Sequence, residues 1–175
     1  MILTINAYSP QIHSSAFVAA NATVIGRVTI GQGASLWFQT VVRGDVNEIA
    51  IGANTNIQDG CLLHVTNEHK LIVGECVTVG HGAILHGCTI ESTCLISMGA
   101  IVLDGAIIGS GSIVAAGAVV SPGSIVPANS LVMGIPGKVI RPVRAQDKAL
   151  IESGWQNYLN YAKQYKQLPA VEDPH

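Results

Sequence analysis

An aliphatic residue returns every sixth position through most of this chain, a spacing that few folds can use. It recurs at Val18, Val24, Ile30, Leu36 and Val42, then at Ile51, Ile57 and Leu63, then at Val73, Val79 and Leu85. A further run continues from Ile90 through Ile96, Val102, Ile108, Val114, Val120 and Val126 to Val132. Four residues after most of these stands a small or β-branched residue, such as Ala22, Ala34, Cys61, Ala83, Cys94, Ala100, Ala106 or Ala118. A period of six fits neither a helix nor a simple alternating strand. It fits a parallel β-helix, in which three short strands make one triangular coil and successive coils stack into a prism. The aliphatic residue fills the axis and the small one lets the chain turn the corner. The period therefore assigns every side chain a wall and a level.

Composition agrees with a prism that buries much of its surface. The chain has 175 residues, 49% hydrophobic and only 11% charged, long enough for one domain with a substantial core. No apolar run reaches the length of a membrane span and no charged-then-apolar leader precedes the repeats, so the expectation is a cytoplasmic protein without a membrane partner. A net charge of −2 with no basic cluster gives no support for nucleic-acid binding. Cys61, Cys76, Cys88 and Cys94 form no CxxC pair, and Cys61 and Cys94 take the small inward position of their hexads, where they read as core filler.

The chain divides into a β-helix domain over 1–137, including an N-terminal cap, a helical segment over 138–168 packed on the prism, and a loose tail over 169–175. The prism is interrupted by a nine-residue step from Val42 to Ile51 and a ten-residue step from Leu63 to Val73, and Leu85 to Ile90 is shortened to five. Both insertions are expected as loops protruding at corners. Beyond Lys138, Leu150, Ile151, Trp155, Tyr158, Leu159, Ala162 and Tyr165 share one face at helical spacing, and Gly154 is a candidate break between two helices.

Addresses on the prism bring chemistry together. His64 and His86 each follow the inward aliphatic of the same wall, 22 residues apart, which is one 18-residue coil plus the four-residue insertion. They should stack about 4.8 Å apart, close enough to share one metal ion. His81 projects from a different wall. A three-fold assembly resolves this, because the wall bearing His81 in one subunit can meet the wall bearing His64 and His86 in the next. Arg43 falls in the column of His64 and His86 with Asp45 nearby, whereas Gln58 and Asp59 lie one coil before His81. Second-shell groups of this type orient metal ligands. His13, His69 and His175 carry no such placement and read as solvated or packing residues.

Arg43-Gly44-Asp45, Asn56-Ile57-Gln58-Asp59-Gly60, His64-Val65, Gly80-His81-Gly82-Ala83 and Leu85-His86-Gly87-Cys88 resemble the signatures of gamma-class carbonic anhydrases. Gly99-Ala100 with Leu103-Asp104-Gly105-Ala106 resembles the bacterial short-loop branch described as carbonic anhydrase-like. The likeness runs over essentially the whole chain in order and spacing. It implies a left-handed parallel β-helix, a homotrimer, and zinc, or iron or cobalt, at His64, His81 and His86. It also implies structural and substrate roles for Arg43, Asp45, Asn56, Gln58 and Asp59. Two departures stand out. Val46 occupies a position where the archetype has glutamate, and the loop after His64 is short, with Glu68 as its acidic residue. In the short-loop branch a tyrosine of the C-terminal helix approaches the metal, and Tyr158 resembles it.

The resemblance implies reversible hydration of CO2 to bicarbonate by a hydroxide on a metal held by three histidines. Gln58 would orient the nucleophile, and Glu68 and Tyr158 are the candidates for proton transfer. Without a well-placed shuttle carboxylate, turnover is expected to be slow. Two rivals stand beside this reading: a hexapeptide-repeat acyltransferase, which needs one histidine base and no metal, and a non-catalytic metal-bound scaffold.

Overall fold

The inward aliphatic ladder dictates the architecture. In the computed structural model, which describes residues 1–168, Leu36, Val42, Ile57, Leu63, Val79, Leu85, Ile96, Val102 and Val114 all point into a dry axis and are essentially fully buried. Each such side chain contributes about 1.5–3 kcal/mol when taken from water. The small hexad positions, Ala22, Ala34, Cys61, Ala83, Cys94 and Ala106, are equally buried at the corners. The result is a parallel β-helix of stacked coils with one C-terminal helix.

One wall is a ladder of short parallel strands: Phe17–Val18, Ser35–Leu36, Asn56–Ile57, Thr78–Val79, Leu95–Ile96, Ile113–Val114 and Ser130–Met133. The other two walls merge into one sheet. They are joined by strands that run around an edge, Thr23–Ile30 and Val41–Ile51, paired in parallel. The insertion after Val42 is therefore not a loop. It continues the ladder as part of an 11-residue strand, and the extra residues are absorbed where register against the neighbouring strand jumps from Gly26↔Gly44 to Val28↔Ile49. Residues 65–70, the second insertion, do leave the sheet.

The chain after Gly137 first forms a strand, Lys138–Pro142, antiparallel to Ser130–Met133, which closes the last coil before any helix begins. A single helix, α1 (Ala145–Tyr165), then runs back along the first wall. Its start is fixed by Asp147, which accepts the Arg144 backbone N–H at 2.7 Å and the Arg141 guanidinium at 2.5 and 3.2 Å. Gly154 does not break it. A side chain there would meet Thr78 Oγ1 at 2.9 Å, so glycine is what lets the helix lie close to the wall. Of the expected apolar face, Ile151 and Ala162 are buried and Trp155, Tyr158 and Leu159 half-buried, whereas Leu150 faces solvent. The expected tail over 169–175 lies outside the described residues. No helix among the described residues is long and apolar enough to cross a membrane.

The outward columns differ by wall. The wall under α1 carries Ser35, Asn56, Thr78, Leu95 and Ile113, all buried except the half-buried Leu95. Another wall carries Val41, Leu62, Ile84, Ile101 and Val119, an aliphatic column facing outward in which Leu62 is exposed and the others half-buried.

Candidate metal centre

Parallel register fixes the first half of the site. Arg43, His64 and His86 are direct neighbours on successive strands of the wall with the aliphatic column. The two imidazoles lie 5.0 Å apart between centroids, and His64 Nδ1 is 3.0 Å from His86 Nε2. The remaining nitrogen of each meets a carboxylate: His64 Nε2 lies 3.0 Å from Asp45 Oδ1, and His86 Nδ1 lies 2.6 Å from Asp104 Oδ1. A neutral imidazole that donates to its carboxylate presents a lone pair from its other nitrogen. Two lone pairs thus face each other, an arrangement that calls for a cation or a proton between them. Two nitrogens on a tetrahedral zinc stand about 3.3 Å apart, given Zn–N bonds of about 2.0–2.1 Å, so the donor pair fits such an ion.

His81 repeats the pattern on the wall under α1. Its Nδ1 lies 2.9 Å from Asp59 Oδ2, and its Nε2 is left facing outward, 3.3 Å from the Tyr158 hydroxyl. The backbone is held from one coil below, where Gln58 Oε1 accepts the His81 N–H at 3.2 Å. Gln58 Nε2 in turn donates to Asn56 Oδ1 at 3.1 Å, and Asn56 Nδ2 donates to Thr78 Oγ1 at 3.0 Å. Buried polar groups are expensive unless paired, and here each is paired within one ladder beneath the helix. Gly82, next in the chain, turns the corner at φ +67°, a conformation that other residues adopt only at a cost.

Within one chain His81 does not reach the His64–His86 pair. Among the described residues, no three His, Cys, Asp or Glu side chains converge on a single point. Arg43 does not approach the histidines independently: its guanidinium bonds Asp45 directly, so Asp45 bridges Arg43 and His64. Burial alone would raise the Asp45 carboxyl, but the bonds from His64 and Arg43 outweigh it and hold the group below the ordinary range. Tyr158 touches His81, and burial, with the charge of Asp59 behind it, pushes its phenol up to about 12. It is therefore a neutral hydrogen-bonding group at physiological pH. Glu68 stands exposed on the 65–70 loop and makes no hydrogen bond to any of the three histidines. Val46 is also exposed, its N–H bonded to Asp45 Oδ1 at 3.0 Å.

Asp104 was not assigned to the site from sequence, since register places Leu103 beside His86 and Asp104 reaches in from the following corner. His69 is an exposed packing residue, as expected. It is held, because Asn47 Nδ2 bonds the carbonyls of Thr66 and Asn67, and its ring lies over Gly105, where an added Cβ would be 3.2 Å away. The cysteines are free, and burial raises Cys61 and Cys88 to about 12 and Cys94 to about 11, which suits packing and not nucleophilic chemistry.

Residues 87–122 match the family described as bacterial transferase hexapeptide (six repeats). A carbonic anhydrase of Geobacillus kaustophilus is 42% identical over 96% of this chain and 92% of its own length. Gamma carbonic anhydrase 3, a mitochondrial protein of Arabidopsis thaliana, is 48% identical over 89% of this chain, which spans 62% of that longer protein. Among solved structures, a Bacillus cereus protein provisionally named an acetyltransferase superposes with a TM-score of 0.94 at 44% identity, covering 96% of this chain and 98% of the other.

Proposed function

Because the chain belongs to the gamma carbonic anhydrase family of hexapeptide-repeat proteins, we propose that it interconverts CO2 and bicarbonate at metal sites shared between the subunits of a homotrimer. Each site would take His64 and His86 from one subunit and His81 from its neighbour, with zinc as the first candidate and iron or cobalt as alternatives. The observation that carries this reading is the common state of the three imidazoles. Each has one nitrogen on a carboxylate, with the other turned toward a neighbouring ring or hydroxyl: His64 and His86 toward each other, His81 toward Tyr158. A carboxylate partner of this kind orients an imidazole to ligate through its other nitrogen. The assembly draws support from the aliphatic column Val41, Leu62, Ile84, Ile101 and Val119. It borders a groove of about 280 Å³ that also includes Arg43, His64 and His86. An outward apolar stripe beside an incomplete site is the surface that a second copy would cover.

A metal with three neutral histidine ligands supplies Lewis acidity and lowers the pKa of a bound water to about 7. The protein groups do the rest. Asp45, Asp59 and Asp104 fix the orientation and tautomer of His64, His81 and His86. Arg43 holds Asp45 in place and keeps it ionised. Asn56 and Gln58 lock the His81 backbone, and one Nε2 hydrogen of Gln58 remains for an oxygen of the substrate. Tyr158 keeps its proton and offers a hydroxyl at the edge of the site. None of these groups is an efficient path for a proton to bulk water, because position 46 is apolar and Glu68 faces solvent.

The test is stopped-flow CO2 hydration with elemental analysis and sedimentation on one metal-reconstituted sample. The expected result is a trimer with close to one metal per chain and a hydration rate that rises with buffer concentration. A metal-free protein that transfers an acyl group from a CoA thioester would overturn the reading in favour of the acyltransferase. A fully loaded trimer inert toward CO2 would leave a scaffold.

A further inference from the structure

The aromatic residues of this chain are few and they are not dispersed. The sequence has two Trp, four Tyr and two Phe, and all except Tyr8 and Trp155 gather where α1 crosses the first coils. Packing of the helix explains Trp37, which is buried, and Phe17, which is half-buried. It does not explain a cavity of about 420 Å³ walled by Trp37, Phe38, Tyr158, Tyr161 and Tyr165 and floored by Asp59. The walls stand across one another and do not stack. Trp37 meets Tyr158 at 90° and Tyr165 at 79°, Tyr158 meets Tyr161 at 74°, and Phe38 meets Tyr165 at 59°. Rings set this way enclose a space with π faces on several sides.

Charge identifies what such a space would take. The one acidic side chain in the lining is Asp59, no lysine or arginine lines it, and its other polar groups include the Gln164 amide and three tyrosine hydroxyls. Asp59 pairs with no lysine or arginine among the described residues; its oxygens face the Phe38 N–H and His81 Nδ1. Among the described residues, the arginine stacked on an aromatic ring is Arg27 over Tyr8, neither of which lines this cavity. The nearby ammonium of Lys166 is committed to the Ser15 carbonyl. The cavity thus combines electron-rich faces with an anionic floor and no internal cation, the combination that attracts organic cations and repels anions.

We propose that this cavity, which adjoins the candidate metal centre and shares Asp59 and Tyr158 with it, is a binding site for a methylated ammonium group. A quaternary ammonium suits it better than a primary amine. Its charge is spread over methyl groups that pack on ring faces, and it costs less to remove from water. The inference does not depend on the hydration chemistry, since binding can be read with or without turnover.

The experiment titrates full-length, metal-loaded protein with choline and with 3,3-dimethylbutan-1-ol, its uncharged isostere. Calorimetry and the proton NMR shift of the methyl groups are the readouts. The expected result is saturable choline binding below roughly 10 mM with an upfield ring-current shift, and binding of the isostere at least about tenfold weaker. Tyr161→Leu, at an exposed position, should weaken choline at least about fivefold, while Tyr161→Phe, which keeps the ring, should bind as the unmodified protein does. Equal binding of the isostere would overturn the proposal by making the cavity a plain apolar recess. Absence of saturable binding would also overturn it, whether because the rings only dock the helix or because a neighbouring subunit fills the space. Either failure leaves the hydration assay unaffected.

Discussion

Asp104 accepts from His86 Nδ1 at 2.6 Å, which commits Nε2 of the same ring to be the lone-pair nitrogen. Asp104→Asn keeps the size but loses the charge and can present a donor in place of an acceptor. Metal affinity should fall roughly 10- to 100-fold in chelator competition, with the far-UV spectrum unchanged. His81→Ala should lower metal content as much as His64→Ala or His86→Ala, because each leaves two protein donors where a catalytic zinc needs three. Elemental analysis decides this, and retention of metal by His81→Ala alone would refute the cross-subunit site. At position 46, Val46→Glu places a carboxylate on an exposed corner beside Asp45 and should raise the hydration rate in dilute buffer, read by stopped-flow. The His64–His86 stack was legible from the hexad count because parallel register repeats without choice. Asp104 was not, because the five-residue step after Leu85 shifts the column by one and brings the carboxylate in from a corner that counting does not describe. The role of Gln58 was legible only in part: periodicity put it near His81, but not its burial or its bond to the His81 backbone.

At the level of the elements, α1 depends on two local devices. Its first turn rests on Asp147, whose carboxyl the Arg141 guanidinium and the Arg144 N–H hold at about 2 against an ordinary 3.8. A depressed carboxyl pKa stabilises the folded form above the unfolded value, and the contribution is lost as pH falls from 3.8 through about 2. Helix docking, followed by Trp155 fluorescence, should therefore loosen across that acid window, and Asp147→Asn should flatten the dependence. Midway along, Gly154 allows a close approach to Thr78. Gly154→Val should push the helix from the wall and cost about 1–3 kcal/mol in denaturant unfolding. Sequence suggested a break at this glycine because glycine is a poor helix former, but the requirement for close packing won. The insertion after Val42 differed for a related reason. Three extra residues can leave a sheet as a loop or be taken up as a bulge, and pairing of Val28 through Ile30 with Ile49 through Ile51 rewards the second.

For the whole molecule, the proposed site shared between subunits would make association and metal binding one equilibrium. Chelation should shift the sedimenting species toward smaller mass on dilution, and added zinc should reverse it, since a ligand bound only by the assembled form stabilises that form. A different consequence follows from the course of α1. A stack of coils is a linear array in which each unit touches only its neighbours, and such arrays ordinarily fray from whichever end is weaker. Here Tyr165 packs against Phe17 at 6.1 Å between ring centroids and Lys166 bonds the Ser15 carbonyl at 2.6 Å, so the last turn of α1 is fastened to the first coil. The array has no free beginning. Fraying at the first coil must undo contacts made by residues about 150 positions away, so opening the start of the solenoid and releasing the end of α1 become one event, although the two lie at opposite ends of the sequence.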